Sequence, residues 1–489
     1  MNKRTNFIVF IADQMRADSL GHLGNRAAIT PNFDKIYQED GVSFDNAYCQ
    51  NPVCVPSRCS FLTGWYPHVR GHRTMHFLLE KDDPMLLKIL KNHGYYVLWV
   101  GRNDVIPADR DLSEYCHEYY SGYEAGNDNP IAAHKEWEKS FRGPADGDNY
   151  YSFYAGKIKE SNQYGKTDWN CVNKVLSFIN NYSENSDIPF CIYVSLSFPH
   201  PPYACEDPWF SSIDRSKIGD IRPVPKDWSK KASMLKGIYE KQKLQNWGIE
   251  RFKELRATYY AMVSRLDYQF GLIVKALKDK NLYDDTSIFV FSDHGDYTGD
   301  YGIVEKSQNT FEDSLTNIPL IIKPNKSIKV KPRISEALVE LVDLPATIAD
   351  MAGFELDYTQ FGKSLVHVLK GDEEHKDAVF CEGGRIHGEI QAMEIGHGPE
   401  SLYWPRLSTQ YSEGPEHTKA VMIRMGDFKY IERLYEQSEL YDLKNDPDEL
   451  YNLIGDKRYA ELILEMKERL LRFFMETTDY VPNTRDKRF

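Results

Sequence analysis

Four β-prone runs that each stop at a polar cluster constrain this chain more than any other feature. Residues 6–12 (NFIVFIA) run straight into Asp13-Gln14, and residues 96–100 into Gly101-Arg102-Asn103-Asp104. Residues 190–196 lead to Ser197-Phe198-Pro199-His200, and residues 287–291 to Ser292-Asp293-His294-Gly295. Continuous apolar runs mark strands buried on both faces, as in a parallel sheet covered by helices. Between them, residues 84–92 and 251–278 carry apolar side chains at helical spacing. The expected fold class is therefore α/β, a mostly parallel sheet between helices. Open parallel sheets bind ligands beyond the carboxyl ends of their strands, so the four polar clusters are expected to converge on one site.

Residues 105–165 and 203–250 are polar, rich in Trp and Tyr, and weakly periodic, and they are expected to form excursions that wall a pocket. Near residue 370 the pattern changes. Residues 421–430 and 438–443 read as short antiparallel strands and 459–474 as an amphipathic helix. Two units are expected, 1–370 and 371–489, in keeping with a chain of 489 residues. A net charge of −13 leaves no basic surplus to neutralise phosphates, which excludes a nucleic-acid partner, while a local cationic cluster can still bind a small anion. No run approaches the ~20 apolar residues of a membrane span. The apolar run at 7–12 is too short for a signal-peptide core, so no membrane partner and a cytoplasmic location are expected for the chain as it stands. The eight cysteines lack the regular spacing of a disulfide framework.

One segment carries chemistry. Cys54-Val55-Pro56-Ser57-Arg58-Cys59-Ser60-Phe61-Leu62-Thr63-Gly64 has the form C-x-P-S-R followed by L-T-G. It resembles the signature of the formylglycine-dependent sulfatases, a family with the alkaline-phosphatase-like fold. The resemblance implies that sheet, a smaller C-terminal α+β subdomain, and a nucleophile made when a separate maturation enzyme oxidises Cys54 to formylglycine. The hydrated aldehyde has two hydroxyls, so one can attack sulfur and the other can then expel sulfate. A helix starting at the motif would put Cys54 near a positive terminus, with Arg58 one turn on along the same side.

The resemblance extends along the chain. It implies one calcium ion held by Asp13, Gln14, Asp293, His294 and the modified Cys54, although the nitrogen of His294 suits a softer metal better than calcium. Ser197-Phe198-Pro199-His200 and Gly302-Ile303-Val304-Glu305-Lys306 resemble the segments that contact sulfate, His200 or Lys306 protonating the leaving oxygen. Arg102 stands where many sulfatases have lysine, and Asp104 where they have a histidine base, which makes Asp104 a candidate base or substrate contact. His72, Arg73 and His76, in a stretch dense in His and Arg, are candidates for the pocket rim. The block from Glu439 through Asn452-Leu453 and the segment Thr30–Asp34 also match the family and are expected to be architectural.

The expected function is hydrolysis of sulfate esters on a sulfated small molecule or glycan. Two alternatives stand beside it: a phosphonate monoester hydrolase or phosphodiesterase of the same superfamily, which Gln14 favours, and a non-catalytic sugar-binding relative.

Overall fold

The computed structural model of the chain describes residues 4–123, 130–183 and 186–483, with 485 and 487. Its centre is an eight-stranded sheet. In chain order the strands are β1 (Asn6–Asp13), β2 (Val42–Phe44), β3 (Tyr96–Gly101), β4 (Glu118–Tyr120), β5 (Phe190–Pro199), β6 (Thr286–Ser292), β7 (Leu320–Lys323) and β8 (Arg333–Ser335). They lie in the order β8-β2-β7-β6-β1-β5-β3-β4. All pairings are parallel except those of β7, which runs against both β6 and β2. The four runs read from the sequence are β1, β3, β5 and β6, and they are adjacent.

Alternation along β1 shows why these strands are apolar throughout. Phe7, Val9 and Ile11 join one buried cluster, whereas Ile8, Phe10 and Ala12 join the cluster on the opposite face. On the second face lies α3 (Ile249–Asp279), whose Leu266, Phe270 and Ile273 pack into that cluster beside residues of α2 (Gln163–Asn181). On the first lies α1 (Cys54–Thr63), every residue of which is buried. A helix enclosed on all sides needs no polar stripe. Two of its buried hydroxyls are used internally, Ser57 Oγ donating to the Asp293 carbonyl at 2.6 Å and Thr63 Oγ1 to the Cys59 carbonyl at 2.7 Å. Gly64, at φ +74°, closes α1 in the left-handed conformation.

Beyond the main sheet, β9 (Val379–Gly383), β10 (Ala420–Met425), β11 (Phe428–Arg433) and β12 (Glu439–Asp442) form a four-stranded antiparallel sheet. The single strand expected over 421–430 is a hairpin instead, because Gly426, at φ +54°, turns the chain between β10 and β11. Helix α4 (Ala460–Thr477) lays Met466, Leu470 and Phe473 against this sheet, with Phe473 stacked on Phe380 at 3.9 Å. No helix among the described residues is long and apolar enough to cross a membrane.

Candidate active site

The strand register delivers the polar clusters to one edge. Ala12 pairs with Ser292 on one side and Leu196 on the other, and Gly101 pairs with Ser195, so Asp13, Asp293, Arg102 and the segment leading to His200 leave the sheet together. Gly101 is required there. Its φ is +92°, and a Cβ would fall 1.8 Å from the Ser195 carbonyl oxygen.

At the first residue of α1, the Cys54 sulfur lies 3.2 Å from His294 Nε2 and 3.6 Å from Asp13 Oδ1. One ligand atom each from Asp13, Cys54, Asp293 and His294 lie within 4.8 Å of one another, all buried. His294 Nδ1 donates to the Gly295 carbonyl at 2.9 Å, which turns the Nε2 lone pair toward Cys54. Burial, and to a lesser degree Lys306, keep this imidazole neutral against the pull of Asp293. Two carboxylates, a neutral imidazole and residue 54 make a donor set suited to a divalent cation.

The arginines bind the same carboxylates from below. Arg58, 1% exposed, donates from Nη2 to Asp13 at 2.8 Å, from Nε to Asp293 at 2.9 Å, and from Nη1 to Ser195 Oγ at 2.6 Å. Arg102 Nη1 reaches Asp13 Oδ2 at 2.5 Å. Burial opposes ionisation of Asp13, but Arg102 and Arg58 overcome it and hold its carboxyl well below the ordinary range. The Cys54 thiol goes the other way. Burial first, then Asp13, raises it well above an ordinary thiol, so the unmodified sulfur is a poor nucleophile.

Gln14 makes contacts that the sequence does not reveal. Its side chain is a bridge: Oε1 accepts from Lys306 Nζ at 2.7 Å and Nε2 donates to Asp296 Oδ2 at 2.5 Å. Only its backbone N–H turns to Asp293, at 3.0 Å. Gln14 has φ +67° and Glu305 φ +70°, two non-glycine residues in the left-handed region on either side of Lys306. Burial works to discharge Lys306, but Cys54, Glu305 and Asp13 keep its ammonium above the usual lysine range. His200 is pushed well below the ordinary imidazole value by burial and then by Lys306 and Arg102. Its Nδ1 faces the Pro201 carbonyl at 2.6 Å, so the neutral ring keeps its proton there. Of the two acids the sequence offered, Lys306 is the one that carries a proton in the anion-free site. Asp104, about a quarter exposed, stands 3.7 Å from Arg58 Nε and 3.8 Å from Arg102 Nη1 and accepts no hydrogen bond among the described residues.

Arg102, Asp104 and His200 also line a cavity of about 550 Å³ whose far wall is formed by Tyr164, Trp137 and Tyr403. The first excursion, 105–165, walls it as expected, but 203–250 contributes no lining residue. His72, Arg73 and His76 are not on its rim either. His72 is buried between the Phe77 carbonyl and Asp83, at 2.9 and 3.0 Å, and Arg73 is tied to Glu389 at 2.8 Å and to the Gly384 carbonyl. His76 is an exposed residue whose Nε2 accepts from the Ile395 N–H. These polar groups hold the loop that follows α1 to itself and to the segment after β9.

Sequence reasoning missed several contributors. Asp296 receives Tyr203 Oη at 2.7 Å as well as Gln14, and burial lifts its carboxyl to about 7. Asp300, fully buried, takes three guanidiniums: Arg256 at 2.5 Å, Arg16 at 2.8 Å and Arg222 at 2.9 Å. Arg16 Nη1 also donates to the carbonyls of Asp296 and Tyr297 and to Thr298 Oγ1, clamping the loop from Asp293 to Lys306. Three acids within eight residues (293, 296 and 300) were a visible signal. Tyr403 had none.

Comparison with known proteins bears on the family and the fold. A family model described as Sulfatase matches residues 5–354, and a second, N-sulphoglucosamine sulphohydrolase, C-terminal, matches 404–476. An arylsulfatase of Clostridium perfringens is 25% identical over 96% of this chain and 94% of its own. Among solved structures, a phosphonate monoester hydrolase of Agrobacterium radiobacter superposes with a TM-score of 0.72 at 22% identity, covering 97% of this chain and 96% of that one. A protein solved in complex with its substrate D-glucosamine-2-N,6-O-disulfate gives 0.70 at 20% identity, covering 99% and 100%.

Proposed function

Because the chain belongs to the sulfatase family and is a sulfuric ester hydrolase, we propose that residue 54, oxidised to formylglycine, attacks the sulfur of a sulfated sugar held between Arg102, His200 and Lys306. The observation that carries this reading is the position of Cys54, at the head of a buried helix, in reach of Asp13, Asp293 and His294, with Arg58 beneath them. Asp13, Asp293, His294 and an oxygen on residue 54 would hold the metal, with the lone pair of Gln14 Oε1 that Lys306 leaves unused. Four of these donors are hard oxygens, which supports calcium. When bound, such an ion would supply Lewis acidity toward a sulfate oxygen and a lower pKa to the nucleophile.

The remaining roles fall to side chains. Arg58 bridges the two carboxylates and orients both toward residue 54. Arg102, one-third exposed, faces the cavity and offers its other nitrogens to the sulfate oxygens. Lys306 Nζ holds the proton for the leaving oxygen, steadied by Gln14 and Glu305. Asp104, beside Arg58 and Arg102, would take a proton from residue 54 when sulfate departs. Trp137 and Tyr164, stacked at 5.0 Å on the cavity wall, give a pyranose an apolar face. The complex with a glucosamine disulfate is in keeping with a sugar substrate.

The first test is mass spectrometry across residue 54, on protein made with a maturation enzyme, alongside aryl sulfate turnover. Activity should follow the converted fraction and vanish in Cys54→Ala; full conversion without sulfate turnover would reject the reading. One observation favours a second reading, phosphonate monoester or phosphodiester hydrolysis. Gln14 in place of an acid leaves the metal site one negative charge poorer, and phosphonate monoester hydrolases share this fold. An aryl phosphonate cleaved faster than the matching aryl sulfate would decide for it.

A further inference from the structure

On the side of α2 away from the catalytic cavity, three aromatic rings meet at the surface. Trp169 lies 5.7 Å from Trp209, Trp209 lies 5.7 Å from Tyr268, and Trp169 and Tyr268 are 6.2 Å apart. Soluble proteins bury such rings where they can, yet Tyr268 is 48% exposed and both tryptophans are only partly covered. The rings bound a surface cavity of about 590 Å³ whose rim carries Glu160, Lys166 and Asn173. Among the described residues none of these three polar side chains has an intramolecular partner.

The floor is fixed from beneath. Trp169 Nε1 donates to Glu206 Oε1 at 3.1 Å, and Arg265, fully buried, pairs with the same carboxylate at 2.9 Å and lies 5.3 Å from the Trp169 ring. A rigid aromatic surface loses little conformational freedom when it is covered. An apolar floor of three rings tilted 43–67° to one another, within a rim of one cation, one carboxylate and one amide, suits a pyranose, whose C–H face is apolar and whose edge carries hydroxyls and anionic substituents. Seven residues line this cavity. A protein partner calls for about 20–30 on each side, whereas about 300–1,000 Å³ is the range of small-ligand sites.

The two cavities flank α2, and their linings come within two residues of each other at its head. Asn162 and Gln163, at the head of α2, line the catalytic cavity, and Glu160, two residues earlier, lines the aromatic one. Two residues span at most ~7 Å of backbone. We infer that Trp169, Trp209 and Tyr268 form a subsite for a distal pyranose of an anionic glycan whose sulfated end occupies the catalytic cavity. The choice of a glycan rests on the function proposed above. Lys166 meets a sulfate or carboxylate of the bound sugar, and Glu160 and Asn173 meet its hydroxyls. A short substrate would not reach this subsite, and a longer one would use both cavities.

Calorimetric titration with hexasaccharides and disaccharides from heparin, chondroitin sulfate and carrageenan tests this on wild type, Trp209→Ala and Tyr268→Ala, with 4-nitrophenyl sulfate turnover measured in parallel. At least one hexasaccharide should bind wild type, and its Kd should rise about tenfold in each variant. The matching disaccharide and the aryl sulfate kinetics should not change. Absence of hexasaccharide binding, an unchanged Kd in both variants, or equal weakening of the disaccharide would overturn the subsite. So would a wild-type oligomer that becomes monomeric in the variants, because the face would then belong to a second copy of the chain. Wild type that binds hexasaccharides with the expected variant effect but hydrolyses no sulfate would reject the catalytic reading alone.

Discussion

Asp300→Asn removes one negative charge from a place where three cations meet, and the structure sets the size of the effect. Asp300 is inaccessible to solvent, and the Arg16, Arg222 and Arg256 side chains are 2%, 15% and 5% exposed. Deleting one partner of a buried ion pair costs about 3–5 kcal/mol, because the remaining charge stays buried and unpaired. Three pairs do not treble that figure. Arg16 keeps Asp18 at 2.5 Å, Arg222 keeps Asp448 at 3.5 Å, and Arg256 keeps the Thr298 and Tyr297 carbonyls. A loss of about 4 kcal/mol, with an unfolding entropy of about 2 cal/mol/K per residue over the main unit, lowers Tm by about 4–7 °C. Burial resists ionisation of Asp300, but the three arginines hold its carboxyl far below the usual range. A depressed carboxylate contributes fully above its unfolded pKa of about 3.9 and loses that contribution only as pH falls through the lower folded value. The Tm gap between wild type and variant should therefore be flat from pH 8 to pH 5 and narrow only in stronger acid. The loop clamped by Arg16 carries His294 and Lys306, so turnover should fall as well. Thermal scans at four pH values decide. A gap under 1 °C at pH 7.5, or one that closes between pH 8 and 6, would refute the ion-cluster argument.

Gly101→Ala sets a Cβ against the Ser195 carbonyl and forces a left-handed alanine, so β3 must move and take Arg102 with it. Aryl sulfate turnover should drop at least 100-fold, and an active variant would show that Arg102 is placed by other means. Arg73→Ala loses a partly buried pair with Glu389 and should reduce Tm by only about 1 °C while leaving aryl sulfate KM within twofold; a tenfold rise in KM would return Arg73 to the pocket. Dialysis against a chelator should abolish turnover, and calcium should restore it better than manganese. The reverse order would mean that His294 sets the preference.

The sequence made much of this site legible because its residues follow strand ends. Asp13, Arg102, His200 and Asp293 could be placed together from four apolar runs alone, since a parallel sheet brings equivalent ends to one edge. Chemistry that depends on side-chain direction was hidden. Nothing in Asp13-Gln14 told that the amide would span Lys306 and Asp296, which follows from a left-handed φ at Gln14. His72 and Arg73 looked like anion ligands by composition, but composition does not reveal that Asp83 and Glu389 reach them first. Tyr403 was out of reach too, because it comes from a loop over 90 residues beyond Lys306 that only tertiary packing brings to the cavity.

The enclosure of α1 has a consequence for how an active molecule is made. The Cys54 side chain is 2% exposed, and every residue from Asn51 to Tyr66 is buried in the finished fold. The oxidation proposed above would need an enzyme to reach this thiol, and the folded chain does not present it. That oxidation would therefore compete in time with closure of the sheet around the helix, and a maturation enzyme added after closure should convert little of the protein unless it is first unfolded.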